Sequence, residues 1–279
     1  MSMLSINTNV GALNAAQASY SVNKSMETSM HRLSSGKRIN SAADDAAGIQ
    51  IANRINAEIQ GLNQSVRNAA DAQAMLSTAE GALEQVHSLL LRMRELAVQS
   101  SNQTLSDADR DSIQVEVGVL EAEIQRVADD TTWAGQVLLA GGFSTGITFQ
   151  VGPRSGDNVQ ISIGAINATT TIANGGLDLN EDITTAARAM GYISNIDAAI
   201  SHVATNRGAY GATINRLDHA IANMQNVATN LATSKGRIED ADFAAETTNL
   251  ARAQVLQQAS MAMLAQANAS KQNILSLFQ

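Results

Sequence analysis

Ile55, Leu62, Ala69, Leu76, Leu83, Leu90 and Ala97 stand seven residues apart without a miss. A second stripe runs beside them. Ile59 and Val66 follow their partners by four residues, and Ala72, Ala79, Val86 and Met93 follow theirs by three. Sustained spacing of this kind predicts one long α-helix with a single buried seam. Between Ile55 and Ala97 such a helix spans roughly 65 Å at 1.5 Å rise per residue.

Two further seams follow. Ser106 is a candidate N-cap, with Asp107 and Asp109 in the first turn, near the positive end of the helix dipole. Behind it Ile113, Val117, Leu120, Ile124 and Val127 alternate steps of four and three. The third seam is the most regular: Ile193, Ile196, Ile200, Val203, Arg207, Tyr210, Ile214, Leu217, Ile221, Met224, Ala228 and Leu231, interrupted only by Arg207. Gly236 is expected to break this helix, with Asp240 or Asp242 capping the next. Between the second and third seams the period changes to two. Ile147, Phe149 and Val151 alternate, as do Val159, Ile161 and Ile163, around Gly152, Pro153, Gly156 and Asp157, which reads as a β-hairpin. Residues 165–182 are polar and Gly-bearing and read as loop. The expected fold is mainly α, an elongated antiparallel helical bundle or coiled coil with a small β-hairpin region.

Composition decides what fills the seams. Alanine accounts for 47 residues and aromatics for 3%, with a single Pro and no Cys. That suits long helices packed through small side chains and excludes disulfides, thiolate metal sites and a Cys nucleophile. A net charge of -8 argues against coating nucleic acid or an anionic membrane. No apolar run is long enough for a transmembrane helix. Met1 to Asn9 has no basic flank, the first Lys being Lys24, so export is expected by a route that reads no ordinary signal peptide.

Charge is distributed unevenly. Residues 1–31 and 243–279 together carry five charges in 68 residues, against 39 in the other 211. Yet Val22, Met26, Met30 and Leu33 keep helical spacing. A helix with few charges on any face is built to be covered on several sides, and one chain of this composition has too little bulk to do so. The expected cover is another copy of the same protein.

The residues of catalysis are missing. His31, His87, His202 and His219 lie at no metal-binding spacing. Asp44-Asp45 reads as helix-start charge. Ser35-Gly36-Lys37 resembles the end of a phosphate loop, but the upstream Gly is absent and Arg38 replaces the Ser/Thr. There is no Gly-x-Ser-x-Gly. No enzyme activity, cofactor, metal site or catalytic residue is expected.

Several segments, in order, resemble bacterial flagellin. They are Ile6-Asn7-Thr8-Asn9-Val10 with Ala12-Leu13-Asn14, and Leu33-Ser34-Ser35-Gly36-Lys37-Arg38-Ile39-Asn40 leading into Ala43-Asp44-Asp45-Ala46-Ala47-Gly48. Arg92-Met93-Arg94-Glu95-Leu96-Ala97-Val98-Gln99, Arg237-Ile238-Glu239-Asp240-Ala241-Asp242-Phe243 and Asn273-Ile274-Leu275-Ser276-Leu277 continue the likeness. The resemblance implies a minimal family member with two domains. Residues 1–42 and 236–279 would form the inner helical domain D0. Residues 43–235 would form the rod D1, with its hairpin region at about 144–165. Polymerisation into the flagellar filament would then run through D0. The expected inter-subunit packing positions are Leu4, Ile6, Val10, Leu13, Val22, Met26, Met30, Leu33, Leu250, Val255, Leu264, Ile274, Leu275, Leu277 and Phe278.

The same resemblance implies secretion through the flagellar type III apparatus, ends that order only on assembly, and an extracellular filament used for swimming. Its partners would be an export chaperone, the cap protein and the hook-junction proteins. In some flagellins D1 is bound by a host Toll-like receptor. That contact motif falls here on Arg92, Leu96 and Glu116, with Leu91 where the motif has Gln. The nearest alternative is a hook–filament junction protein. A chemoreceptor rod would share the Ala-rich heptads but needs a membrane anchor and lacks the hairpin.

Overall fold

The computed structural model describes residues 8–168 and 176–276. Its helices are α1 (Val10–Ser35), α2 (Ala46–Ser100), α3 (Asp107–Asp130), α4 (Ala186–Glu239) and α5 (Phe243–Ser276). Four short strands lie between α3 and α4: β1 (Thr132–Trp133), β2 (Gln136–Val137), β3 (Ile147–Gln150) and β4 (Asn158–Ile161). The chain packs as two units, Gln60–Ala228 and the pair of segments Met1–Ile59 and Thr229–Gln279. The mainly α expectation holds. No helix among the described residues is long and apolar enough to cross a membrane.

In the unit Gln60–Ala228 the heptad seam of α2 is the core. Leu62, Ala69, Leu76, Leu83, Leu90 and Ala97 are buried, as are Ala72, Ala79, Val86 and Met93 of the second stripe. Each buried Leu is worth about 1.5–3 kcal/mol relative to exposure. Opposite them lie Ile113, Val117 and Ile124 of α3 and Ile196, Val203, Tyr210 and Leu217 of α4, all buried.

A row of polar residues reveals the direction and register of α2 against α4. On α2, Gln73, Glu80 and Arg94 share one flank at multiples of seven residues. They bond Asp218 (2.7 Å), Arg207 (2.7 Å) and Asp197 (2.7 Å) of α4. The α4 number falls as the α2 number rises, so the helices are antiparallel. Arg207, the one break in the apolar stripe, thus sits where it reaches Glu80 through both Nε and Nη2.

The ends of these helices have physical causes. Ser106 caps α3 with a full capping box: its Oγ accepts from the Asp109 N–H, and Asp109 accepts from the Ser106 N–H. Arg110, buried, donates to the Ser100 and Asn102 carbonyls, placing a cation at the negative end of α2. In the turn between β1 and β2, Ala134 and Gly135 both have positive φ, as a tight two-residue hairpin requires. This first hairpin was not expected.

The second hairpin matches the alternating pattern. β3 and β4 pair antiparallel, Ile147 with Ile161 and Phe149 with Val159. The segment after it is loop, as expected, but its burial departs from the polar reading. Its backbone is irregular, but Ile163, Ile166, Ala168, Leu177, Leu179 and Ile183 are buried. Its backbone is clipped to α3, where the Gln114 side chain accepts from the Ile183 N–H (2.8 Å). Scattered apolar residues without a period leave no signature in sequence, although together they extend the core.

The other unit contains two turns that are tied together. α1 ends at Gly36, whose φ of 70° is the left-handed cap that lacks a Cβ penalty. The Arg38 N–H then donates to the Glu239 carbonyl and the Ala241 N–H to that of Gly36. Asp45 caps α2 by accepting from the Gly48 N–H (2.8 Å). A Cβ on Gly48 would lie 2.5 Å from Asp45 Oδ2 and 2.6 Å from Ile39 Cδ1, so a side chain there would push the Asp45 cap and Ile39 out of place. Gly236 does not break α4, which continues to Glu239. Of the two expected caps, Asp242 is used: its Oδ1 accepts from the Ala244 and Ala245 N–H groups.

Candidate subunit interface

α1 and α5 form an antiparallel pair with an unusually thin seam. The covered or half-covered positions on α1 include Ala12, Ala15, Ser19, Val22, Met26, Ser29 and Leu33, alternating steps of three and four. On α5 they include Glu246, Leu250, Ala253, Gln257, Ser260, Leu264 and Ala267, again in steps of four and three. The Asn9 side chain caps α1 through the Ala12 N–H and reaches the Ala267 carbonyl (3.2 Å). Gln257 donates to Asn23 (2.8 Å). Small residues let the helices approach, but they bury little apolar area.

Many of the large apolar side chains point away from that seam. Val10, Leu13, Tyr20 and Met30 of α1 are exposed, as are Phe243, Val255, Leu256, Met261 and Met263 of α5. At 100° per residue, Phe243 and Met261 share one flank of α5, Leu256 and Met263 the other, and Val255 the back. Open grooves run along the pair. One of about 550 Å³ is lined by Ala15, Ala18, Leu256 and Met263. Another of about 640 Å³ lies along α1 beside Met26, Met30 and His31.

The fifteen expected packing residues therefore divide. Val10, Leu13, Met30 and Val255 face outward. Val22, Met26, Leu33, Leu250 and Leu264 are half-buried within the α1–α5 pair itself. Leu4, Ile6, Leu277 and Phe278 lie outside the described residues, as do the side chains of Ile274 and Leu275. Tyr20, Phe243, Leu256, Met261 and Met263 are outward apolar residues that the sequence reading passed over. Mapping the covered positions first by their three-four spacing would have found them, since each falls off that stripe.

One charged cluster stands inside the pair. Glu246 is buried and accepts from Asn249 (2.9 Å), Arg32 (2.9 Å) and Ser29 (3.4 Å). The Asn249 and Arg32 donors hold its carboxyl below the usual carboxylate range. Desolvation opposes them only weakly, because a layer of two helices places few atoms around the group.

The three residues of the expected receptor contact do not form one surface. Arg92 donates to Glu116 through Nε (3.1 Å) and Nη2 (2.8 Å), and both side chains are exposed. Leu96 is 2% exposed and belongs to the core. The adjacent Ala97 is buried beside it, so α2 turns this pair inward and presents Leu91 and Val98 outward.

Comparison with known proteins covers nearly the whole chain. The bacterial flagellin N-terminal helical region matches residues 6–144, and the bacterial flagellin C-terminal helical region matches residues 193–278. A flagellin of Halalkalibacterium halodurans is 41% identical, with 98% of this chain and 99% of that one aligned. Flagellin C of Vibrio cholerae is 33% identical with the same coverage, over an alignment of 374 residues, so that relative carries segments this chain lacks. Among solved structures, one described as a putative flagellar hook-associated protein of Vibrio parahaemolyticus covers 71% of this chain and all of its own, with a TM-score of 0.60. At 18% identity that likeness is one of fold alone.

Proposed function

This chain belongs to the bacterial flagellin family and is a structural subunit of the flagellar filament; from that premise we propose that polymerisation runs through the outward apolar residues of α1 and α5. The observation that carries this reading is the distribution in the pair, with Ala and Ser at half of the seam positions and nine large apolar residues facing outward. Exposed apolar groups on three sides of α5 cannot all be covered by one neighbour. A twofold dimer would hide one face and leave the others wet. Several neighbours, related by a repeated heterologous contact, cover all of them, and such a contact that does not close generates a helical filament.

Residues 1–42 and 236–279, which hold α1 and α5, make the inner domain D0, and residues 43–235 the rod D1. The subunit acts mechanically rather than as an enzyme. It leaves the cell through the flagellar type III apparatus with an export chaperone, and adds beneath the cap protein to a filament that begins at the hook-junction proteins. Association of α1 with α5 completes on assembly, because alone the pair buries too little apolar area to offset chain entropy. A host Toll-like receptor that binds D1 would engage Arg92 and Glu116 by taking over their ion pair, with Leu96 serving only to support α2 from within. Reporter-cell activation unchanged by Arg92→Ala would remove that contact.

The test is seeded growth, followed by electron microscopy, of the full chain and of a chain lacking residues 243–279. The full chain is expected to form long filaments of uniform width. The truncated chain is expected to keep the helical signal of the unit Gln60–Ala228 and form none. Normal filaments from the truncated chain would overturn the proposal.

A further inference from the structure

The chain has ten methionines, and the described ones fall into distinct environments. Met75, Met93 and Met224 are buried in the unit Gln60–Ala228. Met30, Met261 and Met263 are 54%, 58% and 65% exposed on the α1–α5 pair. Met190, in the other unit, is 56% exposed and belongs to neither helix of the pair.

We propose that Met30, Met261 and Met263 form a peroxide-sensitive modification site that governs polymerisation. The proposal rests on the reading of α1 and α5 as the subunit interface. The reaction is oxygen transfer from hydrogen peroxide to the thioether. A sulfur–oxygen bond forms, the peroxide oxygen–oxygen bond breaks, sulfur is oxidised by two electrons and peroxide is reduced to water. No proton leaves the protein.

The position of each sulfur gives the consequence. Met30 borders the depression along α1 together with Met26, and Met263 borders the groove beside Leu256 and Ala15. Met261 shares a flank with Phe243. These are surfaces that a neighbouring copy must dry on docking. A thioether there is apolar and adapts to its partner. A sulfoxide is a strong acceptor, and Ala15, Ala18 and Leu256, which line the groove with Met263, have no donor to give it. Each sulfoxide buried without a donor is expected to raise the critical concentration for growth about tenfold, equivalent to about 1.4 kcal/mol. Oxidation therefore acts on free subunits, and a copy already packed in a filament has its sulfurs covered.

Full-length wild type is treated with hydrogen peroxide as monomer, its sulfoxides are mapped by mass spectrometry, and seeded elongation is then measured. Two variants run beside it, Met190→Leu and the triple Met30→Leu, Met261→Leu, Met263→Leu. Met190→Leu lies outside the interface and is expected to elongate as wild type before treatment, while the triple variant is compared only with its own untreated rate. Treated wild type and Met190→Leu should lose elongation, and recover it with methionine sulfoxide reductases that act on both epimers. The triple variant should elongate after treatment as before. Wild type that elongates unchanged after full oxidation at these three positions overturns this proposal alone, as does a triple variant equally sensitive to peroxide. Wild type that fails to elongate before any peroxide overturns the interface reading, and this proposal with it.

Discussion

Two helical assemblies in this chain obey the same three-four spacing and use it in opposite ways. In Gln60–Ala228 the stripe holds the large residues, Leu76, Leu83, Leu90 and Met93 on α2, and the surface holds the charges. In the α1–α5 pair half of the stripe is Ala or Ser, set between Val22, Met26, Leu33, Leu250 and Leu264, and the surface holds Leu13, Tyr20, Val255 and Met263. Periodicity alone thus says where a helix touches its nearest neighbour in the chain. Which residue sizes sit on and off the period says whether that neighbour is enough. The first assembly is complete within one chain; the second, in the function proposed above, is one layer of a core that other copies finish.

The sharpest test of this difference is a truncation in each stripe and its surroundings. Leu83→Ala removes a fully buried side chain from the α2 seam and is expected to cost about 3 kcal/mol in urea unfolding of the monomer. Leu13→Ala removes an exposed one and is expected to change monomer stability by less than about 0.5 kcal/mol while raising the critical concentration for elongation. If Leu13→Ala destabilises the monomer as much as Leu83→Ala does, the pair already has a core of its own and the contrast fails.

The polar row between α2 and α4 gives the next effect. Arg207 and Glu80 are each about one-third exposed and bonded through two guanidinium nitrogens. Arg207→Ala leaves Glu80 half-covered without its partner, and a loss of about 1–2 kcal/mol is expected, discounted for solvent screening. Replacing both by Leu should recover most of it, because an apolar pair suits the stripe on either side. A double replacement no better than Arg207→Ala would mean that the row sets register as well as filling space. A smaller change, about 1 kcal/mol, is expected for Ser106→Ala, which removes one side of the α3 capping box. The cap in the α1–α5 pair is of another kind, since Asn9 caps α1 but also spans to Ala267.

Most of the Gln60–Ala228 architecture was legible in the sequence because burial there follows a period. The α2 seam, the Ser106 cap, the hairpin at Ile147 and Val159, and the position of Arg207 all announce themselves by spacing. The β1–β2 hairpin did not. Two strands of two residues are too short to show alternation, and its turn places Ala134 at positive φ, where Asn or Gly is the usual signal. The buried Leu177, Leu179 and Ile183 were hidden for a similar reason, since irregular backbone imposes no period. Gly236 misled because α4 runs on through it to Glu239, held by the Asp240 N–H bond to the Gly236 carbonyl. In the charge-poor ends, listing every apolar residue mixed the pair's own seam with its outward face. Leu96 shows the converse case, a residue whose motif suggests surface and which the structure buries beside the seam position Ala97.

The two regions should also respond to acid with opposite sign. Glu246, in the α1–α5 pair, has its carboxyl held below the ordinary value by Asn249 and Arg32. Its contribution is therefore present above the unfolded carboxylate value and is lost as pH falls through the lowered one. Glu121 of α3 is the reverse case. Burial raises its carboxyl, and the Tyr192 hydroxyl, donating at 2.7 Å, only partly offsets this. Its contribution is fully present below the unfolded value and is lost as pH rises through the raised one. Lowering pH from neutrality towards the ordinary carboxylate range should therefore tighten the α3–α4 contact first, and further acid should loosen α1 from α5. Amide hydrogen-exchange protection factors of assembled filaments, corrected for intrinsic pH dependence, can follow the two regions in one sample. Glu121→Gln is expected to remove the gain around Tyr192 and leave the acid loss at Arg32. Glu246→Gln is expected to remove that acid loss and leave the gain. Loss of protection in both regions together, at one pH and in both variants, would show that they unfold as a single cooperative body and that the contrast between a finished core and an unfinished one is not expressed in their stability.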